Sequence, residues 1–292
     1  MKRHLPLPFL LALAGIAVLC IMDAVIKAVG ARYPTFQLAF LRFLAGTIWT
    51  AAAVAILRPA FPSRETIRVN TLRGVIGLIT ATSFFYALQN LPLAETIAFS
   101  FLSPLFLALF GALILGEAIR RETFSGLGLG FVGMLVMTFG HGLTTGGPLI
   151  SAALHLPGVL AAIGSAISYA FGLVLLRQRA QQDALIIIVL FQTTVPTLLL
   201  VGPAWWVWQP VLGSDLWLFL AIGGLGLCGH MLLANAFKRA EASRLAPSEY
   251  SALVMAAILG YGFFGEVPGI ATLVGAMLVI SGTVIAMRAK GG

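Results

Sequence analysis

Sliding the 292-residue chain along itself by 149 positions lays Gly116-Glu117 onto Gly265-Glu266 and keeps both neighbourhoods in register without a gap. Between Ala87 and Gly133, nine positions are identical to their partners at Ala236 through Gly282. Among them are Ala108 and Ala257, Gly111 and Gly260, Thr123 and Thr272, Gly126 and Gly275, Leu129 and Leu278, and Gly133 and Gly282. One unit therefore occurs twice. The flanks of the paired motifs differ in charge, with Arg120 and Arg121 after the first and Val267, Pro268 and Gly269 after the second. Lysine and arginine favour the cytoplasmic side of a membrane, so the contrast predicts one unit inserted in two opposite orientations, an arrangement that points to transport.

The membrane setting follows from composition. With 60% hydrophobic and 10% charged residues and a mean hydropathy of +1.01, the chain has too little polar surface to cover a water-soluble globule. A net charge of +8 raises nucleic-acid binding as a function, but a basic groove needs clustered cations and stacking aromatics on one exposed face. Here the cations fall in short connections, so no nucleic-acid partner is expected. Lys2-Arg3-His4 followed by Leu5 to Ile21 has the layout of a signal peptide, yet the nine apolar spans that follow favour a retained first helix. Cys20 and Cys228 both lie in apolar runs, which implies no disulfide framework.

A helix crossing ~30 Å of hydrocarbon needs about 20 mostly apolar residues. Ten stretches fit, at 8 to 30, 34 to 57, 69 to 90, 92 to 115, 121 to 141, 155 to 177, 183 to 202, 215 to 238, 240 to 265 and 267 to 288. The expected organisation is a first five-helix repeat over residues 1–141, an external linker over 142–154 and a second, inverted five-helix repeat over 155–292. With the N-terminus inside, 15 of the 18 cations fall on inner segments, whereas residues 142 to 154 and 203 to 214 hold none. Both termini are therefore expected in the cytoplasm. Trp205, Trp206 and Trp208, at the outer end of span seven, fit an interfacial aromatic belt.

Several local patterns then carry a resemblance. They are Phe99-Ser100-Phe101-Leu102-Ser103-Pro104-Leu105 in span four, Leu115-Gly116-Glu117 at its end, Phe264-Gly265-Glu266 followed by Pro268, and the run from Gly275 to Gly282. Met22-Asp23-Ala24 with Lys27 adds to them. Together these residues resemble the drug/metabolite transporter superfamily, specifically its ten-helix EamA type, over nearly the whole chain. The resemblance implies an all-α integral membrane protein of two inverted five-helix bundles, with a central cavity lined by spans one, three, four, six, eight and nine. It implies export of amino acids, aromatic ones included, or of related small metabolites across a bacterial inner membrane. Uptake of a vitamin or of an S-adenosylmethionine-like metabolite is the alternative within the same class.

Ionisable side chains in hydrocarbon cost at least ~2.5 kcal/mol near a helix centre, so those present should be paired, face water or serve transport. Asp23 in span one and Arg42 in span two lie at matching depths, and Lys27 shares a helical face with Asp23. These three either lock two helices together or contact a zwitterionic substrate and gate its passage. Glu249, about ten residues into span nine, is a lone deep acid that suits proton coupling or meets Arg244 near the inner end. Tyr86, Ser100, Ser103, Ser168, Tyr169, His230, Asn235 and Tyr250 lie on spans that the resemblance assigns to the cavity. Hydroxyls and amides of this kind hold an amino acid's polar head, and helix-to-helix hydrogen bonding is the plainer alternative. Glu117 and Glu266 are expected to be structural, each accepting from a backbone N–H at a tight connection.

Gly128-Leu129-Gly130-Phe131-Val132-Gly133 matches a dinucleotide fingerprint in spacing alone, because that fingerprint needs a preceding strand. Gly126 and Gly133, repeated as Gly275 and Gly282, read instead as a seam between spans five and ten or as a dimer contact. His230 has no second ligand at metal spacing, so neither metal nor cofactor is expected. No phosphate-binding loop accompanies it, which makes the expected carrier secondary rather than ATP-driven. The chain is expected to act as a monomer or homodimer on a small molecule, with proton coupling as an option, and not as an enzyme. A channel or an intramembrane enzyme is the alternative of another class; it would need a polar lining or a nucleophile with its base. In a cysteine-free background, Thr144→Cys should react with a membrane-impermeant thiol reagent added to intact cells and Ala289→Cys should not. Equal labelling at the two positions overturns the orientation.

Overall fold

The computed structural model describes residues 7–103, 106, 109–110, 113, 125–126, 128–133, 135–136, 150–179, 184–239 and 251–288. Every regular element among them is an α-helix: α1 (Leu7–Gly30), α2 (Thr35–Leu57), α3 (Arg64–Asn90), α4 (Leu93–Ser100), α5 (Ile150–Arg179), α6 (Leu185–Trp206), α7 (Gly213–Arg239), α8 (Ser251–Phe264) and α9 (Ile270–Arg288). Residues 128–133 are also helical. The reason is the solvent: in hydrocarbon each backbone N–H and C=O must be satisfied within its own segment. Among the described residues, Leu7–Gly30, Thr35–Leu57, Arg64–Asn90, Leu185–Trp206 and Gly213–Leu233 are long and apolar enough to cross a membrane. Leu156–Gly172, Ser251–Phe264 and Ile270–Gly282 are shorter apolar helices.

Helix ends depart from the expected spans for local reasons. α3 begins five residues early because Ser63 Oγ accepts from Thr66 N at 3.1 Å, an N-cap that hydropathy does not register. α5 begins at Ile150, so the last five residues of the expected linker are helical. At the end of α2, Arg58 takes φ 44° and its N–H returns to Val54 O at 2.9 Å, closing the last turn. Gly265, after α8, takes φ 65°, a left-handed conformation in which glycine carries no Cβ penalty. That explains the glycine of the second Gly-Glu pair; the first pair, Gly116 and Glu117, lies outside the described residues.

The chain divides into two compact units, Met1–Val75 with Gln182–Phe264, and Ile76–Gln181 with Gly265–Gly292. Each takes helices from both halves of the sequence, so the compact units and the sequence repeats are different divisions of the chain.

In the first unit α1 packs on α7 and α8, and α2 packs on α6 and α7. Small residues set the distances. A Cβ on Gly223 would lie 2.6 Å from the Ala45 carbonyl carbon and 2.8 Å from Gly46 N, so α7 and α2 touch backbone to backbone. Gly15 and Gly229 do the same for α1 and α7 against Leu233 and Leu19. Thr50 Oγ1 and Thr193 Oγ1 are 3.1 Å apart and Thr47 Oγ1 and Thr197 Oγ1 3.2 Å, a two-rung hydroxyl ladder between α2 and α6.

The second unit uses the glycine stripe of residues 126 to 133 against α9. A Cβ on Gly282 would lie 2.5 Å from Gly126 O, and one on Gly133 would lie 2.6 Å from Gly275 O. Polar bonds join the remaining helices. Thr80 Oγ1 donates to Ser168 Oγ at 2.9 Å, and Ser165 Oγ donates to Thr80 O at 3.0 Å. Gly282→Ala should therefore lower stability by about 1–3 kcal/mol, the usual cost of overpacking. Gly128→Ala has nothing within 4 Å of the added carbon, and should be neutral or gain about 0.5–1 kcal/mol of helix propensity. Thermal unfolding of the two variants in detergent checks the contrast.

Candidate functional site

The described cavity lies inside the first unit, where stripes on three helices converge at helical spacing. α2 contributes Arg42, Gly46 and Thr50, each four residues apart; α6 contributes Val189, Gln192 and Thr193; α7 contributes Gly223, Gly226 and His230. Two glycines flank the guanidinium: a Cβ on Gly226 would lie 3.4 Å from Arg42 Nη2 and one on Gly46 3.8 Å from Nη1. Phe43 stacks under it, with the guanidinium carbon 4.7 Å from the ring centroid. Met22 Sδ is 4.0 Å from Nη2. Asp23 on α1 is within electrostatic reach of Arg42, and both are buried, at 8% and 9% exposure.

His230 Nδ1 lies 2.7 Å from Gly226 O. A carbonyl only accepts, so Nδ1 carries the hydrogen, and Nε2 is left with a lone pair while the ring is neutral. Thr50 Oγ1 contacts Gly46 O, and Thr193 Oγ1 donates to Val189 O at 3.1 Å. Pro196 lies inside α6 and has no N–H, so the Gln192 carbonyl has lost its donor four residues on. The guanidinium of Arg42, the Thr50 and Thr193 hydroxyls and the His230 imidazole thus share the lining of one small cavity.

Of the expected coupling residues, Asp23 and Arg42 come together here, while Lys27 places its ammonium 5.5 Å from the Phe264 ring centroid. Glu249 lies outside the described residues, as does Tyr250. Of the expected cavity residues that are described, His230 alone lines this cavity. Asn235 on α7 is exposed and donates to Met231 O at 3.0 Å. Tyr86, Ser100, Ser103, Ser168 and Tyr169 all belong to the second unit. There Ser100 and Ser103 bond to their own helical turn, through Thr96 O and Ser100 O, and Ser168 joins Thr80. Tyr86 and Tyr169 are exposed, at 38% and 50%. Glu266 accepts from Leu93 N at 2.7 Å, which caps α4 rather than the adjoining connection, and Thr272 Oγ1 donates to Glu95 Oε1 at 2.8 Å. α2 and α6 correspond to spans two and seven, outside the set that the family resemblance assigned to its cavity.

Sequence reading passed over the polar cluster that joins the α1–α2 and α6–α7 connections. Tyr33 Oη donates to Asp215 Oδ2 at 2.7 Å and accepts from Leu212 N at 3.1 Å, while Arg32 Nη2 is 3.1 Å from Asp215 Oδ1. Gln37 Nε2 donates to Gln209 O at 2.7 Å and Gln37 Oε1 accepts from Gln209 N at 2.8 Å. Burial pushes the Tyr33 hydroxyl above its ordinary value, so it stays a donor at neutral pH. An acid in the first turn of α7 was the one available signal, since a helix N-terminus favours negative charge.

A family model described as the EamA-like transporter family matches residues 7–139 and again residues 156–288. The chain belongs to this family. Among the relatives of this EamA-like membrane transporter is the pseudopaline exporter CntI of Pseudomonas aeruginosa, 29% identical over 97% of this chain and 96% of that protein. The S-adenosylmethionine uptake transporter of Rickettsia prowazekii is 27% identical over 90% of this chain and 86% of that protein. Solute carrier family 35 member G1 of Homo sapiens is 30% identical over 73% and 60%. A solved crystal structure superposes with a TM-score of 0.63 at 22% identity, covering 96% of this chain and 97% of that one, a likeness of fold.

Tyr33→Phe should destabilise the EamA-like chain by about 1.5–3 kcal/mol, the range for a hydrogen bond to a charged group. Arg32→Ala removes the half-exposed partner of the same carboxylate, and should cost under about 1 kcal/mol. Thermal melts of both variants give the ranking.

Proposed function

We propose that this chain is a secondary transporter that exports amino acids, apolar and aromatic ones among them, or related small metabolites across a bacterial inner membrane. In this reading ten spans form two inverted five-helix repeats, residues 1–141 and 155–292, joined by an external linker at 142–154, with both termini cytoplasmic. The substrate crosses by alternating access. The observation that carries the export reading is the near full-length similarity to a protein named as an exporter, the pseudopaline exporter. Substrate contact is assigned to Tyr86, Ser100, Ser103, Ser168, Tyr169, His230, Asn235 and Tyr250. Coupling and gating are assigned to Asp23, Lys27, Arg42 and Glu249.

The buried charges support a transport role, because a guanidinium inside an apolar bundle is expensive to retain for packing alone. Uptake of an S-adenosylmethionine-like metabolite is the second reading, favoured by the similarity to the Rickettsia prowazekii uptake transporter. Purified protein in liposomes separates the two. Saturable flux of labelled amino acids supports the first reading, and flux of S-adenosylmethionine with none of amino acids supports the second. Ohmic ion current with neither makes the chain a channel. In an active preparation Asp23→Asn and Arg42→Gln should each reduce flux at least about tenfold if one buried charge is left uncompensated. Folded variants that transport at the normal rate remove both residues from the mechanism.

A further inference from the structure

Between residues 51 and 94 the sequence carries four arginines, Arg58, Arg64, Arg68 and Arg73, and a single acid, Glu65. The structure separates the four. Arg73 is partly buried, and its Nη1 donates to Asn70 Oδ1 at 3.1 Å on its own helix. Arg58, Arg64 and Arg68 are exposed, and among the described residues no hydrogen bond or ion pair engages any of the three guanidiniums. Their direction follows from the helix. Thr66 and Asn70, at 7% and 2% exposure, turn one face of α3 into the first unit. Arg64 and Arg68 each stand two positions before one of these, about 200° round the helix, so they point away from the interior. One turn further along their face is Leu72, 50% exposed. The outward stripe thus changes from cationic to apolar along its length, as a lipid-facing helix does where it passes from head groups to acyl chains. Arg58 joins it from the end of α2, directly after the exposed Ile56 and Leu57. Between Arg58 and Arg64, Phe61 is 92% exposed in a connection that Pro59 and Pro62 stiffen.

We propose that the α2–α3 connection is a docking surface for anionic phospholipid, with Arg58, Arg64 and Arg68 holding head-group phosphates and Phe61 resting at the boundary between head groups and chains. Guanidinium forks match phosphate oxygens in pairs. Exposed apolar side chains adjoin the charges on both helices, Ile56 and Leu57 on α2 and Leu72 on α3. The occupant must therefore offer anions and hydrocarbon side by side, which a lipid does and a soluble anion does not. These arginines then give the chain a preference among lipids in addition to orienting it on insertion. The surface is remote in kind from substrate binding, and the proposal stands whichever solute the carrier moves and in whichever direction.

The test uses the full chain in a neutral detergent, titrated with short-chain phosphatidylglycerol, short-chain phosphatidylcholine or inorganic phosphate, and reads the thermal midpoint. Phosphatidylglycerol should raise the midpoint in a saturable way, and the other two should not. Arg64→Gln and Arg68→Gln should each weaken the apparent affinity about fivefold, the equivalent of the ~1 kcal/mol that one basic side chain contributes near an anionic surface. Arg58→Gln, Arg64→Gln and Arg68→Gln combined should abolish the response, and Phe61→Ser should weaken it. A control chain with Arg120→Gln, Arg121→Gln and Arg177→Gln loses as much charge from other connections, and should keep the response. If the triple variant fails to fold, the two single variants and the lipid series on the unaltered chain decide. An equal response to phosphatidylcholine or to inorganic phosphate, an equal loss in the control chain, or unchanged affinity in both single variants overturns the docking surface. So does a phosphatidylglycerol response that survives in the triple variant.

Discussion

Backbone contact between α2 and α7 sets the geometry of the first unit. A glycine at 223 lets α7 lie against the Ala45–Gly46 peptide, a separation that any Cβ would widen. Once the two backbones touch, residues one and two turns away are brought opposite one another. Arg42, Gly46 and Thr50 then face Gly223, Gly226 and His230 across a narrow gap, and α6 closes it with Gln192 and Thr193. Membrane helices gain little hydrophobic energy by meeting, because lipid tails are as apolar as their own side chains, so close contact at small residues is a main source of attraction. The same contact that holds the helices together therefore forms the cavity wall.

Arg42 is the costly element of this arrangement. Its charge is offset in several ways at once: Asp23 across α1, the Phe43 ring beneath the guanidinium, and the Met22 sulfur beside it. A pair such as Asp23 and Arg42 stabilises a bundle only when the desolvation of both charges is repaid, and a hydrophobic pair of similar volume often does as well. Nearer the helix ends, where water is close, the chain employs cheaper polar ties. Tyr33, Asp215 and Arg32, with Gln37 and Gln209, bind two connections together through bonds of 2.7 to 3.1 Å.

The second unit achieves close packing by different chemistry. Gly126, Gly133, Gly275 and Gly282 mesh backbone to backbone, while hydroxyls of Thr80, Ser165 and Ser168 cross from α3 to α5. Glu266 supplies the side-chain cap that Pro92 cannot, since a proline before α4 has no oxygen on its side chain to offer. The glutamate of the repeated Gly-Glu motif thus gains a specific reason: its carboxylate meets the positive end of a helix from the other half of the chain.

Much of this was readable along the chain because hydrocarbon imposes its rules locally. Apolar runs of span length, the glycine stripes, the repeat that places Gly133 and Gly282 in register, and the matching depths of Asp23 and Arg42 all follow from residue type and position. Helix ends were less legible where a single side chain decides them, as Ser63 does for α3. Partner choice required the tertiary structure. Tyr33 and Asp215, Gln37 and Gln209, or Thr50 and Thr193 stand more than 140 residues apart, and no periodicity within one helix says which other helix it will touch. Each compact unit draws helices from both repeats, so neighbours in space are set by how the two copies interleave. A polar side chain in an apolar stretch announces that it needs a partner; only packing supplies the partner's name.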